Sequence, residues 1–294
     1  MRNTKTKPNY LATGGLLIAA TGWGLVWYPY RLLQVAGVSG AASTFYTYSV
    51  TVLIGLALFA RHLPQMKGMF WSMLWLGLAA GWTNLAYVLA IIDGQVMRVM
   101  LLFYLSPLWT LALAHFWLKE RTGLLGVLAI IASLSGAFIM LWQPETGLPL
   151  PQNEAEWLGL SAGIFFALTN VLTRRAKQLS LPAKSLAVWG GVTLVAMLYI
   201  LVFSQAYVMP QAISGDNWLM IIAIGIALMI TTLGVQYGVT HIPVTRASVI
   251  FLFELVVAAI AAYFLAGETM DKQEWIGGIL IVAASLFAAR AEKA

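Results

Sequence analysis

Apolar runs of about twenty residues, the length of helix that crosses a hydrocarbon core of about 30 Å, recur from one end of the chain to the other. Ten can be drawn: 10–30, 41–60, 70–92, 95–118, 123–142, 156–176, 184–204, 217–240, 244–266 and 275–290. Only 10% of the 294 residues are charged and 61% are apolar, whereas a soluble domain carries about 25% charged residues. The pattern implies an all-α integral membrane protein of ten transmembrane helices, with short loops and no soluble domain. The basic start, Met1 to Lys7, precedes an apolar run too long for a signal-peptide core, so 10–30 is expected to remain as the first span. There is no Cys, and His62, His115 and His241 lie far apart in sequence. No metal site and no cofactor is therefore expected.

Charge sets the orientation. With the N-terminus inside, 14 of the 17 Lys and Arg residues fall on the inner side, among them Arg61, Lys119, Arg121, Arg174, Arg175, Lys177, Lys184 and Arg246. Arg31, Arg98 and Lys272 fall outside, with most of the acids, including Asp93, Glu154, Glu156, Glu268, Asp271 and Glu274. Cationic residues accumulate in cytoplasmic loops. Both termini are thus expected in the cytoplasm, across a bacterial-type inner membrane. The net charge of +6 follows from this topology, and no nucleic-acid partner is implied.

The two halves repeat. Residues 77–120, shifted by 148, align without a gap to 225–268, with ten of 44 positions identical, including Gly77/Gly225, Thr83/Thr231, Arg98/Arg246, Phe103/Phe251 and Glu120/Glu268. The first spans of each half match at a shift of 143, pairing Arg31 with Arg174. Each unit holds five spans, an odd number, so the second must enter the membrane from the opposite face. The expected organisation is a first five-helix unit at 1–142, a periplasmic linker at 143–155 rich in Pro and Glu, and a second unit at 156–294. Inverted repeats of this kind place a binding site near the midplane, at the repeat interface. Equivalent residues then sit at opposite faces, so Arg98 and Arg246 are candidate gating residues.

Corresponding spans carry Leu105-Ser106-Pro107-Leu108 followed by Leu118-Lys119-Glu120, and Phe253-Glu254-Leu255-Val256 followed by Ala266-Gly267-Glu268, then Gln273 and Gly277-Gly278. With Gly22-Trp23-Gly24 in the first span and the five-plus-five arrangement, the chain resembles the drug/metabolite transporter superfamily, in its EamA-type ten-helix branch. The resemblance covers nearly the whole chain. It implies a secondary carrier, often an exporter of amino acids or related metabolites. Import or exchange of a vitamin or nucleotide-like compound, and drug efflux, stay open beside it. The family's Pro after the helix-9 acid is Leu255 here, which removes the reason to expect a kink there.

One acid stands out within a span. Glu254 has about ten apolar-leaning residues on either side, roughly 15 Å of helix each way. A charge at that depth costs about 2.5–3.5 kcal/mol by insertion scales, and such groups usually face a bundle interior or a wet cavity. Glu254 could exchange a proton, hold a substrate ammonium, or serve as a structural partner. Arg98 could reach a substrate carboxylate, or pair near the outer surface. Trp23, Trp27 and Arg31 recur every four residues and share one helix face, with Tyr28 beside it. Tyr104, Trp109 and Tyr237 are further candidates for a cavity wall, and the in-span amides Asn84, Asn170 and Gln236 for substrate contact or helix bridging. Pro107 is expected to bend its span and free the carbonyl near Phe103. Gly77-x-x-x-Gly81 and Gly234-x-x-x-Gly238 suggest close helix contacts, within a monomer or between two. Gly159-Leu160-Ser161-Ala162-Gly163 has the letters of a hydrolase elbow but lies in a span, not at a strand–turn–helix junction. No P-loop and no H-E-x-x-H is present, and the chain is not expected to be an enzyme. The partners implied are a small molecule, a proton as coupling ion, and the lipid bilayer, with the protein a monomer or homodimer.

Overall fold

A computed structural model describes residues 10–118, 150–241 and 253–291, with isolated positions 128, 131–132, 135–136, 138–139, 142, 247 and 250–251. All regular structure among the described residues is helical. The main helices are α1 (Tyr10–Val35), α2 (Gly40–Phe59), α3 (Phe70–Asp93), α4 (Val96–Phe103), α5 (Ser106–Leu118), α6 (Glu154–Arg175), α7 (Leu181–Val202), α8 (Gly215–His241), α9 (Phe253–Ala261) and α10 (Lys272–Ala291). Among the described residues seven stretches are long and apolar enough to cross a membrane: Tyr10–Val35, Gly40–His62, Phe70–Asp93, Val96–Trp117, Glu154–Arg175, Leu181–Val202 and Gly215–His241. They coincide with seven of the expected spans. The expected span 123–142 lies largely outside the described residues, and 244–266 lies partly outside them.

These helices are built inside out relative to a soluble bundle. On α1 the large side chains Leu11, Ile18, Leu25 and Leu32, seven residues apart, are exposed. Its buried face carries Ala12, Leu16, Ala19, Ala20 and Trp27. Lipid is as apolar as Leu, so small residues and hydrogen bonds, not hydrophobic burial, hold such helices together. α2 follows the same rule with hydroxyls. Ser43, Thr44, Thr47 and Thr51 are fully buried. Thr47 Oγ1 lies 2.9 Å from the Tyr30 hydroxyl, and Thr51 donates 2.9 Å to the Gly225 carbonyl, tying α2 to α1 and α8.

The fourth span is discontinuous. α4 ends at Phe103, Tyr104 and Leu105 form a turn, and α5 restarts at Ser106. Pro107 lacks an N–H for the carbonyl four residues back, which is that of Phe103. That carbonyl lies against Gly163 of α6, where a Cβ would come within 2.5 Å of it. The expected bend is thus a break, and it turns Tyr104 into the bundle.

Both Gly-x-x-x-Gly pairs pack within the chain. A Cβ on Gly191 of α7 would lie 2.1 Å from the Gly77 carbonyl, so α3 and α7 touch backbone to backbone. Gly234 of α8 meets Gly15 of α1 in the same way. α3 lies chiefly on α6 and α7, and α8 lies on α1 and α2. Gly190, one residue from the crossing, has nothing within 4 Å of a Cβ. Gly191→Ala is therefore expected to destabilise by about 1–3 kcal/mol through overpacking. Gly190→Ala is expected to be neutral or to stabilise by up to about 1 kcal/mol through helix propensity. Melting temperatures of the two purified variants should move in these different directions.

Candidate functional site

Three helices turn faces of identical spacing toward one interior cavity. α3 contributes Ala80, Thr83, Asn84 and Tyr87; α6 contributes Phe166, Thr169, Asn170 and Thr173; α8 contributes Thr232, Val235, Gln236 and Val239. Each set reads i, i+3, i+4, i+7, one face of an α-helix, and each places an amide at i+4. Trp23 of α1, Phe103, Val188 of α7, Phe251 and Glu254 complete the described wall. The space inside is about 70 Å³, well below the roughly 300–1,000 Å³ of small-molecule sites.

Glu254 is 6% exposed. Its Oε2 accepts a 2.6 Å hydrogen bond from the Tyr104 hydroxyl, which also lies 2.7 Å from the Phe251 carbonyl. A phenol has one hydrogen and can also accept. The ionised carboxylate takes that hydrogen. A protonated carboxyl can instead donate to the Tyr104 oxygen while the phenol turns to Phe251. Both protonation states of Glu254 thus find a partner without moving a helix. Gly24 brings α1 onto this spot, since a Cβ there would meet the Glu254 carbonyl at 2.9 Å.

The rest of the wall is aromatic with few polar groups. Trp23 stands edge-on to Tyr87, and Tyr87, Phe103, Phe166 and Phe251 follow ring against ring at 5.1–5.7 Å. Asn84 is fixed at both ends of its amide, accepting from the Tyr48 hydroxyl at 2.6 Å and donating to the Ala80 carbonyl at 2.8 Å. Among the described residues, Gln236 Oε1 and the Tyr87 hydroxyl are buried in this wall without a hydrogen-bond partner.

At one end of α6 a clasp of ion pairs joins five chain segments. Arg98 of α4 meets Glu156 at 2.6 Å and Glu274 at 4.0 Å. Both glutamates also serve the start of a helix. Asn153 caps α6 by accepting from the Glu156 N–H, while the Gln152 N–H donates to Glu156. At α10 Asp271 and Glu274 form a capping box, in which each side chain accepts from the other's backbone N–H. Arg31 of α1 pairs with Glu268 at 3.1 Å and donates to the Ile91 and Gly94 carbonyls. Glu268 follows Gly267, whose φ of +66° ends the π turn Ala262–Ala266. A side chain would resist that left-handed conformation.

At the other end of α6, about 27 Å away at 1.5 Å per residue over Glu156 to Arg174, a vestibule of about 380 Å³ opens. Thr173, Arg174, Lys177, Lys184, Thr240 and His241 contribute to its wall, and it shares Thr173 and Val239 with the Glu254 cavity.

The structure brings Trp23, Asn84, Asn170, Gln236, Glu254 and, through its hydroxyl, Tyr104 to one place. Arg98 is not among them and lies in the clasp. Trp27 is fully buried under the Arg31 guanidinium, 5.1 Å from its ring, and Tyr28 packs edge-on against Trp27. Trp109 is half-buried outside the cavity wall, and Tyr237 lies against His241. Arg246 lies outside the described residues. The wall threonines escaped the sequence reading. Their signal was the repeated placing of Thr beside or four residues before an in-span amide, at Thr83-Asn84, Thr169-Asn170 and Thr232…Gln236.

The EamA-like transporter family matches residues 11–142 and again 154–290. An uncharacterized transporter of Archaeoglobus fulgidus is 27% identical over 213 residues, 71% of this chain and 72% of that protein. One from Pseudomonas aeruginosa is 24% identical over 196 residues, 66% of this chain and 62% of its own length. A protein of known crystal structure superposes with a TM-score of 0.64 over 96% of this chain and 99% of its own, at 18% identity, a likeness of fold. The chain belongs to the EamA-like transporter family of the drug/metabolite transporter superfamily, and is a membrane transporter of small molecules, not an enzyme.

Proposed function

We propose that this protein is a proton-coupled secondary carrier of the bacterial inner membrane, working by alternating access and exporting amino acids or related small metabolites. The observation that carries the reading is the Glu254–Tyr104–Phe251 triad in a cavity wall. A carboxyl with a ready partner in either protonation state can load and release a proton at low structural cost. Substrate and proton would compete for Glu254, as antiport requires. An aromatic wall with a single carboxylate suits a guest having an ammonium group on a flat or apolar body. At about 70 Å³ the cavity holds no amino acid, so in this reading the conformation is contracted and must widen to carry one.

The two units, 1–142 and 156–294, are read as inverted repeats rocking about this cavity. The helix contacts support that reading: exchanging the halves turns α3 upon α6 and α7 into α8 upon α1 and α2. The clasp of Arg31, Arg98, Glu156, Glu268 and Glu274 would then close the periplasmic side while the vestibule faces the cytoplasm, where both termini lie. The repeat makes Arg174 the inner counterpart of Arg31, and Glu120 that of Glu268. Their approach would close the cytoplasmic side in the opposite state.

Flux of labelled amino acids through purified protein in liposomes, with and without a pH gradient, tests the carrier. Glu254→Gln should insert and fold yet lose gradient-driven flux. Tyr104→Phe should lower flux by roughly tenfold, the weight of one hydrogen bond to a charged group. Undiminished gradient-driven flux in Glu254→Gln would sink the coupling role.

The clasp has its own test. The chain has no Cys, so a single Thr83→Cys reports access to the cavity. An impermeant maleimide added from the periplasmic side should label it slowly. Labelling should quicken roughly three- to tenfold when Arg31→Gln or Glu268→Gln removes one half-buried ion pair. Equal rates would take the clasp out of gating.

A further inference from the structure

The vestibule, at about 380 Å³, falls in the range of small-molecule sites, about 300–1,000 Å³, which the Glu254 cavity does not. Its charge is one-sided. Arg174, Lys177 and Lys184 line it, His241 adds an imidazole, and no Asp or Glu is among its described lining residues. Inner-face cations alone would need no further reason, because topology calls for them. Such anchors extend their charge into water or headgroups, as exposed Arg175 does.

Lys184 does not behave as an anchor. It is 3% exposed, in the first turn of α7, and still lines the vestibule. Among the described residues no side chain or carbonyl pairs with its ammonium. A cation taken from water without an anion or acceptor is costly, and a sequence has no topological reason to bear that cost when an exposed lysine serves as well. A lysine whose stem is covered by protein and whose unpartnered ammonium opens on a cavity of ligand size, with two more cations on the same wall, is arranged for an anion to arrive.

We propose that the vestibule is an oxyanion subsite, where Lys184, with Arg174 and Lys177, receives the carboxylate or phosphate end of a soluble metabolite. Lysine suits the task as a compact point charge with three donors. Thr173, in the walls of both spaces, marks the way to the Glu254 cavity, so a molecule bound by its anionic end here would point its other end at Glu254. That last step rests on the transport reading; the binding does not.

Binding of inorganic phosphate, read as ³¹P line broadening, separates the two. Wild-type protein in a phosphorus-free maltoside detergent should broaden the phosphate signal saturably. Lys184→Met should weaken the affinity roughly tenfold or more, the weight of a charge-assisted hydrogen bond, and Lys184→Arg should restore most of it. A monodisperse elution profile shows that each variant is folded, and should Lys184→Met not fold, Lys184→Gln takes its place. Equal broadening by wild type and the folded neutral variant would overturn the subsite. So would native mass spectra in which only an anionic lipid is retained, lost in the variant, with no response to free phosphate. Since the readout is binding at rest, its failure would leave the Glu254 carrier standing, and failed flux would leave this site standing.

Discussion

The 2.6 Å contact between Tyr104 and Glu254 organises the centre of this molecule, and several departures from plain helix serve it. Hydrocarbon offers a carboxylate no solvation, so its partner must come from the protein. Tyr104 reaches it because the fourth span breaks after Phe103. The Phe103 carbonyl at the break lies against Gly163, and α1 closes over the acid because Gly24 has no side chain. A proline and two glycines, each unfavourable inside a helix, are thus consistent with one another around a single buried acid.

Much of this was legible in the chain. Seven spans, the buried acid and three wall amides follow from hydrophobic length and from the expense of polar groups in lipid. What escaped has a common cause. The spacing of Trp23, Trp27 and Arg31 tells that they share a face but not what that face meets along its length. In the structure the stripe runs from the cavity, through a sealed Trp27, to the clasp. Arg98 was open between substrate contact and surface pairing, and the choice depended on two acids held at the starts of α6 and α10. Asn153-x-x-Glu156 and Asp271-x-x-Glu274 are visible as letters, yet their convergence on one guanidinium is tertiary. Threonines were overlooked because a hydroxyl in a span bonds its own helix so readily, as Thr83 does with Ala79, that it carries no outward sign of a lining role.

The two ends of α6 differ in kind. Near Glu156, cations and acids neutralise one another in a tight network joining α1, α4, α6, α10 and the turn after Gly267. Near Arg174, cations line a vestibule that has no Asp or Glu among its described lining residues. One helix therefore carries an ion-paired end and a positive end, with the hydrogen-bonded carboxyl between them. Such a polarity gives a solute different electrostatic surroundings at every stage of a passage along it.

The crossings at Gly77 and Gly191, and at Gly15 and Gly234, have a mechanical side. Where side chains interdigitate, one helix can turn on another only by lifting ridges out of grooves, so angular motion comes in costly steps. Backbone resting on backbone has no ridges at the point of contact. The separation of the axes is fixed there by hard atoms. Each glycine crossing is a spacer: it sets how near its two helices lie, and a substituent of one carbon would wedge them apart.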